Sequence, residues 1–329
     1  MKATHRIRQW RQGAGSRVID SLFGLAGVVG RTHPLAHLAP KIERLSDIRY
    51  RPSSERSHLL DIYRPRHSEG KLPVVMYIHG GSFRILSKDT HWLAGGQFAS
   101  QGMLCVNVNY RLAPANPYPC QLEDVLDALR WVKAHVADYG GDPTRLVLAG
   151  ESAGANLALA LTVGSCFEFD NPMARKIWDV GGPAYALMPA CGILEVTRPE
   201  RFDQDPRTKN WLIRDRIRTV TRSYLPNWSR GDPSVPLADP LVVLESERVP
   251  SRPLPPMFVG CGDADPIAED SSRLGRALAK RGVKHRLAWY RGQPHAFQML
   301  IWRDEAKRFW KDSFDFIAAS GVSPPRSES

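Results

Sequence analysis

Gly150-Glu151-Ser152-Ala153-Gly154 stands between the apolar run Arg145–Ala149 and the Ala/Leu-rich run Asn156–Val163. A short apolar run, a glycine-flanked pentapeptide and a longer run of helix formers read as strand, sharp turn and helix. Ser152 falls at the apex of that turn, where its hydroxyl projects free of the sheet. A Cβ at either flanking glycine would strike the neighbouring strand or helix. In this setting Ser152 is a candidate nucleophile.

The same rhythm runs outward from the motif. Apolar or β-rich runs occur at 48–50, 59–63, 74–78, 104–109, 146–149, 184–188, 257–261 and 286–290. Several are continuous rather than alternating, as strands covered on both faces should be. Helical spacing falls between them. At 121–137, Leu122, Val125, Leu126, Leu129 and Val132 share a face. A second segment spans 269–281 and stops at Gly282. A third, 303–319, turns Phe309, Phe316 and Ile317 inward. This alternation predicts an α/β fold: a mostly parallel, eight-stranded sheet with helices on both faces.

One interval breaks the pattern. The stretch from 188 to 257 is too long for a plain connection. Within it Trp211, Ile213, Ile217, Val220 and Tyr224 recur at near-helical spacing, interleaved with Arg214, Arg216, Arg218 and Arg222. An inserted helical lid is therefore predicted over 191–249. The core is assigned to 43–190 and 250–319, an N-terminal helical lid segment to 1–42, and a frayed polar tail to 320–329.

Composition narrows the function classes. Apolar and charged contents are those of an ordinary globular protein, which excludes a disordered chain or a membrane bundle. The five cysteines (Cys105, Cys120, Cys166, Cys191 and Cys261) are odd in number and have no close pair. They read as buried thiols of a reducing, cytoplasmic setting, not as a disulfide framework or metal site. The net charge of +11 is uneven. Residues 1–17 carry five basic residues and no acid, and residues 198–230 carry nine basic against four acidic ones. A local basic patch is expected, and a nucleic-acid surface across the body of the fold is not.

The apolar stretch 18–30 follows basic residues, as in a signal peptide. Asp20 sits inside it, no small-residue cleavage site follows, and thirteen residues are too few to span a bilayer. Ile19, Leu22, Phe23, Ala26 and Val29 fit an amphipathic helix instead. Such a helix packs on the protein or lies peripherally on a membrane surface.

A serine hydroxyl needs a base, a group to orient the base, and donors for the oxyanion that forms. Asp265 follows the run 257–261, and Pro266 fixes the turn after it. His295 follows the last run, in Gly292-Gln293-Pro294-His295-Ala296-Phe297. Asp263 is the rival acid. Asp265 also suits an N-cap or Asx-turn for the next helix. After the run 74–78, His79-Gly80-Gly81-Ser82 forms a glycine loop whose amides can turn inward. The N–H groups of Gly81, Ser82 and Ala153 are the expected oxyanion donors, with His79 and Gly80 as loop support.

Together, His79-Gly-Gly-Ser82, Tyr110-Arg-Leu-Ala-Pro114, Gly150–Gly154, Asp265-Pro266 and Pro294-His-Ala-Phe297 resemble the hormone-sensitive-lipase-like branch of the α/β-hydrolases. The resemblance runs from about Leu59 to the final helix and includes the chain order Ser, Asp, His. It implies an α/β-hydrolase fold, hydrolysis of short or medium carboxylic esters, and no metal or organic cofactor. Carried over, Ser152, Asp265 and His295 become the triad. Ser82 and Ala296 stand where glycines are usual, and Ala115 where an acid is usual. The resemblance also implies a lid built from the N-terminal segment and the insertion, the two basic stretches. The expected partner is a small-molecule ester, lipid and anionic esters included; peripheral membrane contact through the basic lid and a homodimer are left open. An amidase or thioesterase with the same triad, or a catalytically silent binder of a hydrophobic ligand, are the competing readings.

Overall fold

A computed structural model describes residues 41–228, 232 and 235–322. The predicted N-terminal segment up to residue 40, and the tail from residue 323, lie outside the described residues.

Eight strands form one sheet: β1 (Ile42–Arg49), β2 (Leu59–Pro65), β3 (Leu72–Ile78), β4 (Leu104–Val108), β5 (Gly141–Glu151), β6 (Ala186–Ala190), β7 (Met257–Gly262) and β8 (His285–Tyr290). Their spatial order is β1-β2-β4-β3-β5-β6-β7-β8. β2 runs antiparallel to β1 and β4, and the other neighbours are parallel. Each run read as a strand is one. β1 starts six residues before its expected start at Ile48 and β5 five before Leu146, because both ends are too polar to stand out.

The helices are α1 (Trp92–Ser100), α2 (Cys120–His135), α3 (Ala153–Cys166), α4 (Pro172–Trp178), α5 (Trp211–Tyr224), α6 (Pro240–Glu245), α7 (Ala268–Lys280) and α8 (Asp304–Ala319). Successive strand residues point to opposite faces. Val74, Met76, Ile78 and Leu148 pack with residues of α2, α3 and α7, such as Leu126, Leu157 and Leu274. Val75, Tyr77, Val147 and Ala149 pack on the other face with Phe98 of α1 and Trp310, Phe316 and Ile317 of α8. Burial on both faces explains why β3 and the C-terminal half of β5 read as continuous apolar runs. Val322 is also buried, and its N–H donates to the Ile317 carbonyl. Core packing thus extends past the boundary expected at 319.

Between β6 and β7 lie α5, α6 and two short 3-10 turns. Buried polar contacts tie this insertion to the core. Asp270 of α7 accepts the Leu194 and Glu195 N–H groups and pairs with Arg201. Asn156 of α3 donates to the carbonyls of Ile193 and Ala238. The Tyr224 ring at the end of α5 stacks on Phe83, just after the glycine loop, with centroids 3.8 Å apart. The segment beyond that loop is held by Lys88, a buried ammonium 2.7 Å from Asp47 and 2.8 Å from Asp61.

α3 meets β3 where the turn at Ser152 begins. A Cβ at Gly154 would overlap the Ile78 carbonyl oxygen and stand 2.6 Å from that of His79. Gly96, inside α1, has open space around it. Gly154→Ala is therefore expected to lose about 1–3 kcal/mol of stability through overpacking, whereas Gly96→Ala gains about 0.5–1 kcal/mol from helix propensity. Chemical denaturation of both variants checks the pair. Equal stabilities would contradict the close approach at Gly154.

Candidate active site

The C-terminal ends of the parallel strands share one edge of the sheet, the usual place for a site in such a fold. β3 leads into His79-Gly80-Gly81-Ser82, β5 into Ser152, β6 into Cys191, β7 into Asp265 and β8 into His295. β5 lies between β3 and β6, so Ser152 stands at the middle of this edge.

Ser152 has φ +52° and ψ −116°, a strained backbone for a residue with a side chain. Its N–H donates to the Ala190 carbonyl at 2.9 Å, and its own carbonyl accepts the N–H groups of Asn156 and Ile193. These bonds hold the turn and leave the hydroxyl facing His295. The distance from Ser152 Oγ to His295 Nε2 is 3.0 Å, and His295 Nδ1 lies 2.8 Å from Asp265 Oδ2. Three residues read separately from the sequence thus form one hydrogen-bonded chain.

Asp265 serves two purposes. Its Oδ1 accepts the Ile267 N–H at 2.9 Å, the Asx-turn that the sequence also suggests, while Oδ2 meets the imidazole. Asp263 is exposed and turns away to accept the Gly292 N–H. Burial acts to lower the His295 pKa. The charge of Asp265, its hydrogen bond and the charge of Glu151 outweigh that effect, so His295 titrates above the ordinary imidazole value.

The glycine loop runs alongside. A Cβ on Gly80 would stand 3.2 Å from the Ser152 Cβ, so loop and serine are in close approach. Gly81, Ser82 and Phe83 all have left-handed backbones, at φ +104°, +57° and +60°. The N–H groups of Gly81, Ser82 and Ala153 have no acceptor among the described residues. The expected loop support is also in position. His79 Nδ1 lies 2.7 Å from the Gly80 carbonyl oxygen, which makes Nδ1 the protonated nitrogen. The His79 ring stacks on Tyr110, whose hydroxyl donates to the His79 carbonyl. Burial and the neighbouring His91 push the His79 pKa down to about 3, against a smaller opposing effect of its bond to Gly80. The ring is therefore neutral at working pH.

Two further departures from the family pattern have structural answers. Ala296, after the histidine, has φ +57°, the region in which glycine is free of strain. Arg111 of Tyr110–Pro114 does not depend on an acid at position 115, since its guanidinium pairs with buried Asp124 at 2.7 Å.

Sequence reasoning missed the polar layer behind Ser152 and His295. Glu151, the variable residue of the pentapeptide, is buried. Its carboxylate lies 2.8 Å from His91 Nε2 and accepts from Gln298 Nε2 at 2.9 Å. His91 starts a helix that glycines obscure, and Gln298 lies in a short turn just after His295. An acid in the pentapeptide was the available signal, because a buried carboxylate demands partners. Cys191 Sγ, an Asp265 oxygen and a His295 nitrogen lie within 4.8 Å of one another, the one trio of metal-ligating type among the described residues. Two of its members already bond each other.

Comparison with known proteins identifies the family. Residues 75–299 match a family described as the alpha/beta hydrolase fold. The chain is 31% identical over 235 residues to the carboxylesterase NlhH of Mycobacterium tuberculosis, covering 69% of this chain and 67% of that one. It is 31% identical over 255 residues to the versiconal hemiacetal acetate esterase of Dothistroma septosporum, covering 75% and 73%. The crystal structure of esterase LipW from Mycobacterium marinum superposes with a TM-score of 0.73 at 22% identity, covering 93% of this chain and 90% of that one. The chain belongs to the α/β-hydrolase family.

In this layout Glu151 acts on His295 through charge. Replacing it with Gln removes a negative charge that favours the imidazolium, so the His295 titration should move to lower pH. Wild-type His295 is expected to titrate above about 6.5, the ordinary imidazole value, and the Glu151→Gln ring below its wild-type position. The ring proton resonances followed by NMR against pH report both. An unchanged titration would remove Glu151 from the electrostatics of the base.

Proposed function

We propose that the protein hydrolyses carboxylic esters through an acyl-enzyme on Ser152, with Asp265 and His295 completing the triad. It is a carboxylic-ester hydrolase of the serine type. The observation that carries the mechanism is the chain Ser152 Oγ–His295 Nε2–Nδ1–Asp265 Oδ2, with contacts of 3.0 and 2.8 Å, beside three amides without an acceptor among the described residues. The relatives matched over most of their length bear carboxylesterase and esterase names, which supports an ester over an amide or thioester.

The steps follow from the geometry. Neutral His295 accepts the Ser152 proton at Nε2 as Oγ bonds to the ester carbonyl carbon. The carbonyl oxygen becomes an oxyanion and takes hydrogen bonds from the N–H groups of Gly81, Ser82 and Ala153. Asp265 holds the ring in the tautomer with hydrogen on Nδ1 and steadies the imidazolium. The intermediate collapses, the bond to the alcohol oxygen breaks, and His295 returns the proton to that oxygen. Water then attacks the acyl carbon and gives its proton to His295. The second collapse releases the acid and restores the Ser152 hydroxyl. Neutral His79 keeps the glycine loop in shape without placing a second cation behind it.

In the same reading the insertion 191–249 forms a lid over the acyl site. Among the described residues no helix is long and apolar enough to cross a membrane. The substrates are small-molecule esters of short or medium acyl chain.

Ser152→Ala should lower ester turnover by on the order of 10^3-fold or more and abolish labelling by a fluorophosphonate. His295→Ala should behave alike, because the nucleophile and base act as a unit. A nitrophenyl ester series, with matched anilide and thioester, measures turnover and leaving-group preference together. Undiminished turnover or labelling in Ser152→Ala would overturn the assignment.

A further inference from the structure

Most cations of the insertion have acidic partners. Arg201 pairs with Asp270, Arg207 with Asp205, Arg218 with Asp203 and Arg222 with Asp215. Lys209, Arg214, Arg216 and Arg248 of the insertion, and Arg84 just after the glycine loop, show no carboxylate partner among the described residues.

Arg84 follows the glycine loop directly. Its N–H and that of Ile85 donate to the Gly81 carbonyl at 2.9 and 3.0 Å, which closes a tight turn. Two residues of chain put the Arg84 Cα at most about 7.6 Å from that of Ser82. The Arg84 side chain is half-buried, and its Nε is buried without an acceptor. A buried donor left unmatched is unfavourable and uncommon in a folded protein. The charge acting on it is a second cation, Arg216 of α5. Burial and that charge together push the Arg84 guanidinium below its ordinary value.

The packing sets α5 against the segment that carries Arg84. Phe83 stacks on Tyr224, and Tyr118 N–H donates to the Tyr224 carbonyl at 2.8 Å, so α5 lies against the loop. Arg216 stands two turns before Tyr224, about 80° round the helix from it at 3.6 residues per turn. Its side chain is exposed. Two guanidiniums that repel each other, one with an unmatched donor, are relieved by an anion between them. Planar forks of N–H donors suit a carboxylate or phosphate.

We propose that Arg84 and Arg216 form an anion-binding subsite beside the oxyanion loop, so that the preferred esters carry a carboxylate or phosphate a few bonds from the scissile carbonyl. The proposal rests on the esterase reading for its substrate class, and anion binding can be read without turnover.

Monomethyl succinate against methyl butyrate, followed by acid release, compares a carboxylate-bearing ester with its neutral match. Dibutyryl phosphatidic acid against dibutyrylglycerol does the same for phosphate. Wild type should favour the anionic member of at least one pair. Arg216→Gln and Arg84→Gln should each lower that preference about tenfold or more, as expected for a lost charge-assisted hydrogen bond, mainly through KM. Arg216 is exposed on α5, so its variant gives an answer even where Arg84→Gln fails to fold. Calorimetry of succinate and inorganic phosphate with Ser152→Ala, alone and combined with Arg216→Gln, reads the subsite directly. Arg216-dependent binding without ester turnover in wild type would sink the esterase reading and leave the subsite standing. Ester turnover with no anionic preference and no Arg216-dependent binding would overturn the subsite and leave the esterase reading standing.

Discussion

The steric fit of the β5–α3 turn against β3 fixes everything else in the site. Ser152 keeps a strained left-handed backbone because α3 starts within contact of the Ile78 carbonyl, an approach that only glycine at 154 allows. α3 is buried along its whole length, so the turn cannot relax by letting the helix drift. The hydroxyl is therefore held at one point in space. Asp265 and His295 arrive from β7 and β8, more than a hundred residues later in the chain, and parallel pairing sets their height on the same edge. The imidazole needs no movement to touch both partners.

Charge around that imidazole is arranged in layers. Asp265 is fully buried and shares itself between His295 and the Ile267 amide. Behind the serine, Glu151 is a second buried carboxylate, kept there by His91 and Gln298. A buried acid without such partners would be costly, so these residues matter even though they do not touch the reacting atoms. The two carboxylates together outweigh the burial that disfavours a charged His295. On the other side His79 is pushed strongly toward neutrality and lends only hydrogen bonding and ring stacking to the glycine loop. One histidine is prepared to become charged and the other to stay neutral, through burial and neighbours alone.

The parts legible in the sequence were those with a local signature. Buried parallel strands such as β3 are continuous apolar runs, and α2, α5, α7 and α8 show their faces through helical spacing. Ser152, Asp265 and His295 were readable because each follows a strand end beside a glycine or proline. α1 escaped because Gly95 and Gly96 interrupt its pattern; the Tyr63 ring sits against Gly95, where a Cβ would collide with it. α4 and α6 are too short for periodicity, although a proline opens each. Lys88, His91 and Gln298 were invisible for another reason. Their partners Asp61, Glu151 and Asp47 lie far away in the chain, and nothing local announces a tertiary ion pair.

Net charge illustrates the same limit. Nine basic residues against four acidic ones between 198 and 230 suggest a local basic patch. The fold brings in acids from outside that window, Glu195 beside Arg198 and Asp270 beside Arg201, and much of the excess is cancelled locally. What survives is set by which guanidiniums the packing leaves without a carboxylate. The stacking of Phe83 on Tyr224 sets α5 against the segment that carries Arg84, and the charge acting on Arg84 among the described residues is the cation Arg216. A field concentrated at one point beside the reacting carbonyl can select among substrates, which an even surface charge of the same total cannot.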